Sequence, residues 1–262
     1  MIHQALHRQP VAVDRDQLRA TKLKLANADL SFCSQLNTVF VAATEFGDAC
    51  RDMPLVFVDA GVDEKGKRLV APIAVMGVSQ GDNLFVEKNA WRGRYLPAVL
   101  RFYPFCTARI DDDRFAICVD SAWPYVNTSE GEPFFTEDGK PTPLIEQMQK
   151  QLELLEVETQ RTRLIGQRLL ELELLRDMRF DAEFGDGRKH SVDGFLTIDQ
   201  ERLAALPDDV IVDLHKNGLL ALIHQHWVSM GNMRHLFDWH VARHPAAPAA
   251  AAAPAVATNG AA

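Results

Sequence analysis

Cysteine is scarce in this sequence, and long apolar runs are missing from it altogether. The four cysteines, Cys33, Cys50, Cys106 and Cys118, form no CxxC pair and no other paired metal-ligand spacing. Small secreted domains that depend on disulfides carry far more cysteine, so we expect reduced and mostly buried thiols. No segment approaches the ~18 consecutive apolar residues of a membrane helix, and residues 1–13 contain no apolar run of signal-peptide length. The sequence therefore predicts a soluble, cytoplasmic protein without a membrane span.

Basic residues are also in the minority. The chain carries 28 Lys and Arg against 36 Asp and Glu, which gives a formal net charge of −8. A general binder of nucleic acid or of an acidic membrane needs a basic surface, so we expect no nucleic-acid partner. Local basic patches remain compatible with this composition, and one is described below.

Several short catalytic signatures are absent as well. The sequence contains no GxGxxG or GxxxxGK(S/T) loop for phosphates and no HExxH zinc motif. It also lacks the HxD pair of a facial-triad iron site, since residues 190–193 place one residue too many between His and Asp. The sequence therefore identifies no catalytic residue and predicts no cofactor.

Three stretches of different composition organise the chain. Residues 1–36 form an N-terminal arm, residues 37–240 suit one domain, and residues 245–262 are almost all alanine and proline. Proline at that density breaks any alanine helix, and nothing there can build a core, so we expect a disordered tail. The domain divides into a strand-rich part at 37–141 and a helix-rich part at 142–240.

Apolar patterning predicts strands first and helices later. Short β-branched or aromatic runs occupy 37–42, 54–59, 69–78, 83–87, 105–110 and 114–120, with a further hairpin over 178–198. Helical spacing of apolar residues is found over 142–176 and 208–239, with a shorter helix at 199–206. We therefore predict an α+β fold in which a mainly antiparallel sheet from the N-terminal half is packed by long helices from the C-terminal half.

The predicted helix over 142–176 is unusually long. Thr142 and Pro143 form a good start signal, and without a break the helix would reach roughly 50 Å. We expect a kink or break near 159–166, or a helix that projects to pack on something else. Its length fits homo-oligomerisation through this helix as well as it fits ordinary packing on the sheet.

Six of the nine histidines lie between residues 215 and 244, which raises the hypothesis of a metal site. Two histidines on one helix converge on one ion only at i,i+3 or i,i+4 spacing. His240 and His244 alone have that spacing among the six, and they lie at the end of the helix beside Pro245. Without ligands from other elements we predict individual histidines packed in or along an apolar helix. The alternative is a metal held by His224 or His226 together with distant carboxylates.

A run of arginines and aromatic residues stands out in this acidic chain. No acidic residue accompanies the four arginines between residues 91 and 110. Arginine beside aromatic rings can hold carboxylate or phosphate bidentately while the rings supply contact area. The alternative is that these arginines pair with the chain's own acids, such as Glu130 and Glu132. The candidate contact residues for an anionic ligand or an acidic segment of a partner are Trp91, Arg92, Arg94, Tyr95, Arg101 and Tyr103.

Several blocks of the sequence, taken in order, resemble the bacterial SapC family. They are 54–58, 83–86, the WRGRYLP block at 91–97, 103–105, 131–135, 203–207, 214–218 and 229–233, and the resemblance spans 37–236. It implies a link to surface-layer proteins and serum resistance, and for some members a peptide-transporter permease label that disagrees with the missing membrane span. It also implies genomic neighbours among TonB-dependent receptors, flavin-dependent halogenase-like proteins and cupin-type oxygenases. It implies no catalytic residues.

These observations favour a non-catalytic binding or accessory protein that engages a peptide, a protein or an anionic ligand through its arginines and aromatic residues. Two alternatives stay open. One is a metal-dependent, oxygenase-like enzyme that uses the C-terminal histidines. The other is a structural component of a surface layer, which predicts self-assembly.

Overall fold

The computed structural model describes residues 2–24, 29–111, 114–183 and 189–245. The strands within them are β1 (Pro10–Ala12), β2 (Lys22–Leu23), β3 (Thr38–Phe40), β4 (Leu55–Val62), β5 (Arg68–Val75), β6 (Val86–Glu87), β7 (Ala90–Trp91), β8 (Phe105–Arg109), β9 (Phe115–Asp120), β10 (Val126–Asn127), β11 (Glu132–Pro133), β12 (Leu175–Glu183) and β13 (Lys189–Ile198). The helices are α1 (Arg15–Leu18), α2 (Phe46–Ala49), α3 (Ala98–Arg101), α4 (Pro143–Glu171), α5 (Gln200–Ala204), α6 (Asp208–Lys216), α7 (Leu219–Met230) and α8 (Asn232–Arg243). The predicted disordered tail, apart from Pro245, lies outside the described residues.

A five-stranded antiparallel sheet forms the centre of the fold, in the order β12-β13-β4-β5-β3. The hairpin of β12 and β13 comes from the second half of the chain and pairs with β4 through Leu196 and Phe57. Smaller antiparallel sheets have the orders β1-β9-β8, β10-β2-β11 and β6-β7. The predicted α+β fold is confirmed, with two of the five central strands supplied by the helix-rich half of the chain.

Two clusters of buried apolar residues make up the core. The larger joins the central sheet to α2, α7 and α8, and its wholly buried members include Phe46, Phe57, Phe85 and Ile223. The smaller lies around the β1-β9-β8 sheet and the first part of α4, with Phe105, Val119, Phe134, Ile145 and Leu152. The predicted N-terminal arm is joined to this second region, because β1 pairs with β9 and β2 pairs with β10 and β11.

Helix α4 runs without a break from Pro143 to Glu171, so the break expected near 159–166 does not occur within it. The hydroxyls of Thr159 and Thr162 donate to helix carbonyls four residues earlier, at 2.8 and 2.6 Å, and both residues are buried. Gly166 lets the helix approach the sheet closely, since a Cβ there would lie 2.7 Å from the carbonyl oxygen of Val70. The helix is long because it packs on both core clusters in turn.

The prediction of a second long helix over 208–239 is wrong, because the chain forms α6, α7 and α8 there. Gly218 separates the first two with a left-handed φ of 82°, a conformation that glycine adopts at little cost. The side-chain oxygen of Asn217 accepts the backbone N–H of Leu219 at 3.0 Å and so satisfies a free donor at the start of α7. Apolar periodicity continues across this turn, which is why the pattern alone indicated one helix.

The expectations about the cysteines and about membrane-spanning segments can be compared with the structure. All four cysteines are free and buried, and Cys106 and Cys118 occupy paired positions across β8 and β9. Among the described residues, none of the helices has the length and apolar character needed to cross a membrane.

Candidate functional site

Five of the six predicted contact residues lie on the stretch from β7 to α3, which we call the Arg–aromatic surface: Trp91, Arg92, Arg94, Tyr95 and Arg101. The stretch begins at the hairpin of β6 and β7, whose two turn residues, Lys88 and Asn89, have positive φ angles of 49° and 65°. That pair of left-handed residues is typical of the tight turns that join twisted antiparallel strands. The hairpin therefore fixes where the surface starts.

Trp91 anchors the surface to the core. Its ring stacks on the buried ring of Phe85, with 5.0 Å between centroids and 20° between planes. Its indole Nε1–H donates to the carbonyl oxygen of Tyr95 at 2.8 Å. Trp91 thus closes the loop from residue 91 to residue 95, and the side chains between them project from a fixed backbone.

Two acidic residues from the first part of the chain hold the same loop. The carboxylate oxygen Oδ2 of Asp52 accepts the backbone N–H groups of both Arg94 and Tyr95. Buried Glu45 accepts the Tyr95 hydroxyl at 2.7 Å and the Ala98 N–H at 2.8 Å. Burial and the charge of Glu45 raise the pKa of Tyr95, so its hydroxyl stays a proton donor. Both acids bind backbone N–H groups of this stretch or the Tyr95 hydroxyl, and neither forms an ion pair with its guanidinium groups.

The three guanidinium groups of the surface are exposed. That of Arg92 lies over the Trp239 ring of α8, with 3.9 Å from Cζ to the centroid, and that of Arg101 lies 5.9 Å from the Tyr95 ring centroid. Among the described residues, no carboxylate lies within ion-pair distance of Arg92, Arg94 or Arg101.

The alternative that these arginines pair with Glu130 or Glu132 is not what the structure describes. Glu130 instead pairs with Lys24, at 2.7 Å between Oε1 and Nζ. Glu132 lies exposed in β11, which pairs with β2. The positive charge of the Arg–aromatic surface is therefore not neutralised by these two acids.

Tyr103, the sixth predicted contact residue, contacts a different set of residues. It lines a cleft of about 280 Å³, where its ring stacks on Phe32 at 4.1 Å and meets Trp123 edge-on at 5.2 Å. Its hydroxyl donates to Asp120 at 2.9 Å. Burial raises the pKa of Asp120, but hydrogen bonds from groups that include the Gln9 N–H and the Tyr103 hydroxyl lower it by a larger amount. The pKa of Asp120 therefore lies below its ordinary value. Tyr103 is therefore part of a hydrogen-bonded network around an ionised aspartate.

His226 is completely buried, and both of its ring nitrogens are hydrogen-bonded. Nδ1 lies 2.7 Å from the carbonyl oxygen of Leu55, so it carries the proton and donates it. Nε2 accepts from the Ile198 N–H at 3.2 Å and lies 2.9 Å from the Thr197 hydroxyl. Burial lowers the pKa of His226 to about 4, which keeps the ring neutral. In this arrangement His226 joins α7 to β4 and β13.

His224, the other histidine considered as a metal ligand, lies on the exposed side of α7. Its Nδ1 lies 2.7 Å from the carbonyl oxygen of Leu220, one turn earlier in the same helix. Its ring meets Trp227 edge-on at 5.4 Å between centroids. The structure therefore does not bring His224 and His226 together, since one is exposed and the other is in the core.

The helix that was predicted to carry a homo-oligomer contact exposes a row of apolar side chains. Leu154, Val157 and Leu164 are 66%, 63% and 65% exposed, and their spacing places them on one face of α4. Self-association through this face stays a prediction.

Sequence reasoning missed the residues that reach these features from far along the chain. Glu45, Asp52 and Trp239 hold the Arg–aromatic surface, and Asp82 lies beside His240 and His244 although 162 residues separate it from His244. No short motif can signal contacts of this range. Glu45 and Asp52 lie on either side of the short helix α2, but nothing in their spacing points to residue 95.

A comparison with protein families assigns the chain. The model of the family described as SapC matches residues 13–236. The chain belongs to the SapC family. No curated protein and no solved structure matches it. The whole Arg–aromatic surface lies inside the part that matches the SapC family, whereas His240 and His244 lie beyond its end.

Proposed function

We propose that this member of the SapC family is a binding protein that engages an acidic peptide segment of a partner through its Arg–aromatic surface. The observation that carries the proposal is the presence of three exposed guanidinium groups without a carboxylate partner among the described residues. The chain as a whole has a net charge of −8, so a local excess of positive charge contrasts with its surroundings.

The backbone that bears these arginines is held before any ligand arrives. Trp91 packs on Phe85, while Asp52 and Glu45 bind the backbone or hydroxyl of the loop. A preorganised surface loses less conformational entropy when it binds, so more of the interaction energy contributes to affinity. This preorganisation favours a surface that recognises a partner, as opposed to one that contacts only solvent.

The chemistry of the surface favours carboxylate groups on an extended peptide. A guanidinium group presents two parallel N–H donors that match a carboxylate, and such charge-assisted pairs are stronger than neutral hydrogen bonds. Arg, Trp and Tyr are also enriched at the centres of protein interfaces. The half-buried rings of Trp91 and Tyr95 would supply apolar contact beside the charges.

The proposal is tested with a short fluorescein-labelled polyglutamate peptide, whose binding is followed by fluorescence anisotropy. We expect saturable binding that weakens with added salt, because exposed charges are screened. Replacing Arg92 and Arg94 together with Ala should weaken binding by about tenfold or more, since a hydrogen bond to a charged group contributes about 1.5–3 kcal/mol. A polyglutamine peptide should not bind.

Arg179→Ala is the matched control, because Arg179 is an exposed arginine of strand β12, outside the Arg–aromatic surface, and pairs with Asp181. It removes one positive charge from the chain, against two in the double variant, and should leave peptide affinity unchanged. Failure of the wild-type protein to bind polyglutamate contradicts the proposal. So does an equal loss in the control, or a large drop in thermal stability of the Arg92 and Arg94 variant, which would make these arginines structural. We propose to seek the natural partner in systems that contain TonB-dependent receptors, halogenase-like proteins or cupin-type oxygenases.

For the apolar row on α4 we propose a second copy of the chain as the partner. Leu154, Val157 and Leu164 together form an apolar strip on the exposed side of α4. Leu154→Glu combined with Leu164→Glu should shift the mass measured by light scattering to that of the monomer. Gln151→Glu, at an exposed polar position of the same helix, should not. A wild-type protein that is monomeric at high concentration would rule this contact out.

A further inference from the structure

Three side chains with metal-ligating atoms meet where the end of α8 packs on the loop between β5 and β6. The Oδ2 atom of Asp82 lies 2.9 Å from Nε2 of His244 and 3.8 Å from Nδ1 of His240. One ligand atom from each of the three residues lies within 4.8 Å of both others. The helix brings the histidines together because they are four residues apart, and their ring centroids are 4.7 Å from each other.

The loop that carries Asp82 is tied to the helix by Arg243. Its guanidinium group donates to Oδ1 of Asp82 at 2.7 Å and to the carbonyl oxygens of Asn83 and Val86 at 2.8 and 2.9 Å. The two carboxylate oxygens of Asp82 thus have separate roles, because Oδ1 faces Arg243 and Oδ2 faces the histidines. An outer partner of this kind orients a ligating carboxylate in known metal sites.

We propose that Asp82, His240 and His244 bind a divalent transition-metal ion of the Zn²⁺ type. Two imidazoles and one carboxylate are ligands that Zn²⁺ and similar ions accept. Metal–ligand bonds of about 2.0–2.2 Å in a tetrahedral site place ligand atoms roughly 3.3–3.5 Å apart. The separations of 2.9 Å between Asp82 and His244 and of 3.8 Å between Asp82 and His240 fall on either side of that value. All three ligand atoms lie within 4.8 Å of one another, so small side-chain shifts would complete the geometry.

The exposure of the three side chains suits entry of an ion from solvent. Asp82 and His240 are 16% and 11% exposed, whereas His244 is 48% exposed and forms the open side of the cluster. Three protein ligands leave a fourth position for water or for a group from a partner.

The competing explanation is that Asp82, Arg243 and His244 form only an ion-pair network that fastens the end of α8. Variants distinguish the two explanations. Arg243→Gln removes the guanidinium partner of Asp82 but none of the proposed ligands, so a metal site should survive this change. If the residues form only an ion-pair network, neither the wild-type protein nor this variant should bind metal stoichiometrically. His244→Gln removes a half-exposed ligand at the end of the helix and is expected to fold.

The experiment uses the full chain, purified without an affinity tag and titrated with Co²⁺ as a spectroscopic substitute for Zn²⁺. Residues 246–262 contain no His, Cys, Asp or Glu, so the tail adds no competing ligand of these types. We expect one equivalent to bind, with the intense visible absorption of tetrahedral cobalt, and Zn²⁺ to displace it. His244→Gln and Asp82→Asn should weaken binding by more than the roughly 10- to 100-fold that loss of an outer partner costs.

His235→Gln is the matched control, because His235 is an exposed histidine on the same helix but outside the cluster. It should bind Co²⁺ as the wild-type protein does, and Arg243→Gln should retain the cobalt spectrum with weaker affinity. The proposal is overturned if the wild-type protein binds no stoichiometric Co²⁺ or Zn²⁺. It is equally overturned if His244→Gln, shown to be folded by circular dichroism, binds the ions as tightly as the wild-type protein.

Discussion

His226 and Arg94 are polar residues of one domain that lie in opposite environments. His226 is fully buried, and its two ring nitrogens are bonded to the backbone and to a hydroxyl. Arg94 is exposed, and among the described residues only its backbone N–H is hydrogen-bonded, to Asp52. A buried polar group that loses its partners costs free energy of folding, whereas an exposed charge costs almost nothing to leave unpaired. The comparison therefore separates residues kept for the fold from residues available for a partner.

The largest effect on stability is expected from His226→Ala. The change leaves the Leu55 carbonyl, the Thr197 hydroxyl and the Ile198 N–H without their buried partner and opens a cavity. The free energy of unfolding, measured with urea, should fall by about 3–5 kcal/mol. His224→Ala on the exposed side of α7 should change it by less than about 0.5 kcal/mol. Equal effects of the two changes would remove the basis of the comparison.

A smaller effect is expected from acid, and it should also depend on His226. Its pKa is about 4 in the folded protein against 6.5 for an ordinary histidine, so the unfolded chain binds the extra proton first as the pH falls. The contribution of His226 is fully present above pH 6.5 and is lost as the pH falls towards 4, by about 3 kcal/mol.

Unfolding measured across this pH range in wild-type protein and in His226→Gln isolates the contribution. The variant should be less stable at neutral pH and should show a flatter dependence on pH between 6.5 and 4. An identical slope in both proteins would mean that other groups carry the acid sensitivity. Nuclear magnetic resonance of the ring protons gives the pKa of His226 directly.

Tyr95→Phe is expected to change stability by an amount between the effects of changes at buried His226 and at exposed Arg94, because Tyr95 shares features of both residues. Its ring faces the Arg–aromatic surface, while its hydroxyl donates to buried Glu45 at 2.7 Å. Glu45 keeps its backbone donors at Ala42 and Ala98 in the variant, so the loss should be about 1–2 kcal/mol. A change below about 0.5 kcal/mol would show that the hydroxyl does not help to hold the loop.

The fold was largely predictable from local patterns, and its exceptions have physical causes. Thr142 and Pro143 correctly indicated the start of α4, whereas the break expected in it does not occur because Gly166 and two buried threonines suit the helix to the sheet. Asn217 and Gly218 are typical turn residues, but apolar periodicity continues on both sides of them, and the pattern therefore predicted one uninterrupted helix.

The candidate sites were predictable only where their residues are close in sequence. The run from Trp91 to Arg101 was singled out from its composition, yet Tyr103, two residues later, contacts the cleft around Asp120 instead. Asp82 and His244 meet across 162 residues, and that contact depends on how α8 packs against the β5–β6 loop. Such contacts are produced by tertiary packing, which no local spacing encodes.

The most direct test of the central claim is Arg94→Glu, measured for both stability and binding. The Arg94 side chain has no hydrogen bond or ion pair among the described residues, so the free energy of unfolding should change by less than about 0.5 kcal/mol. Affinity for the labelled polyglutamate peptide should fall by more than the tenfold expected of the double alanine variant, because attraction becomes repulsion. Unchanged affinity, or a large loss of stability, would contradict the assignment of this surface to a partner.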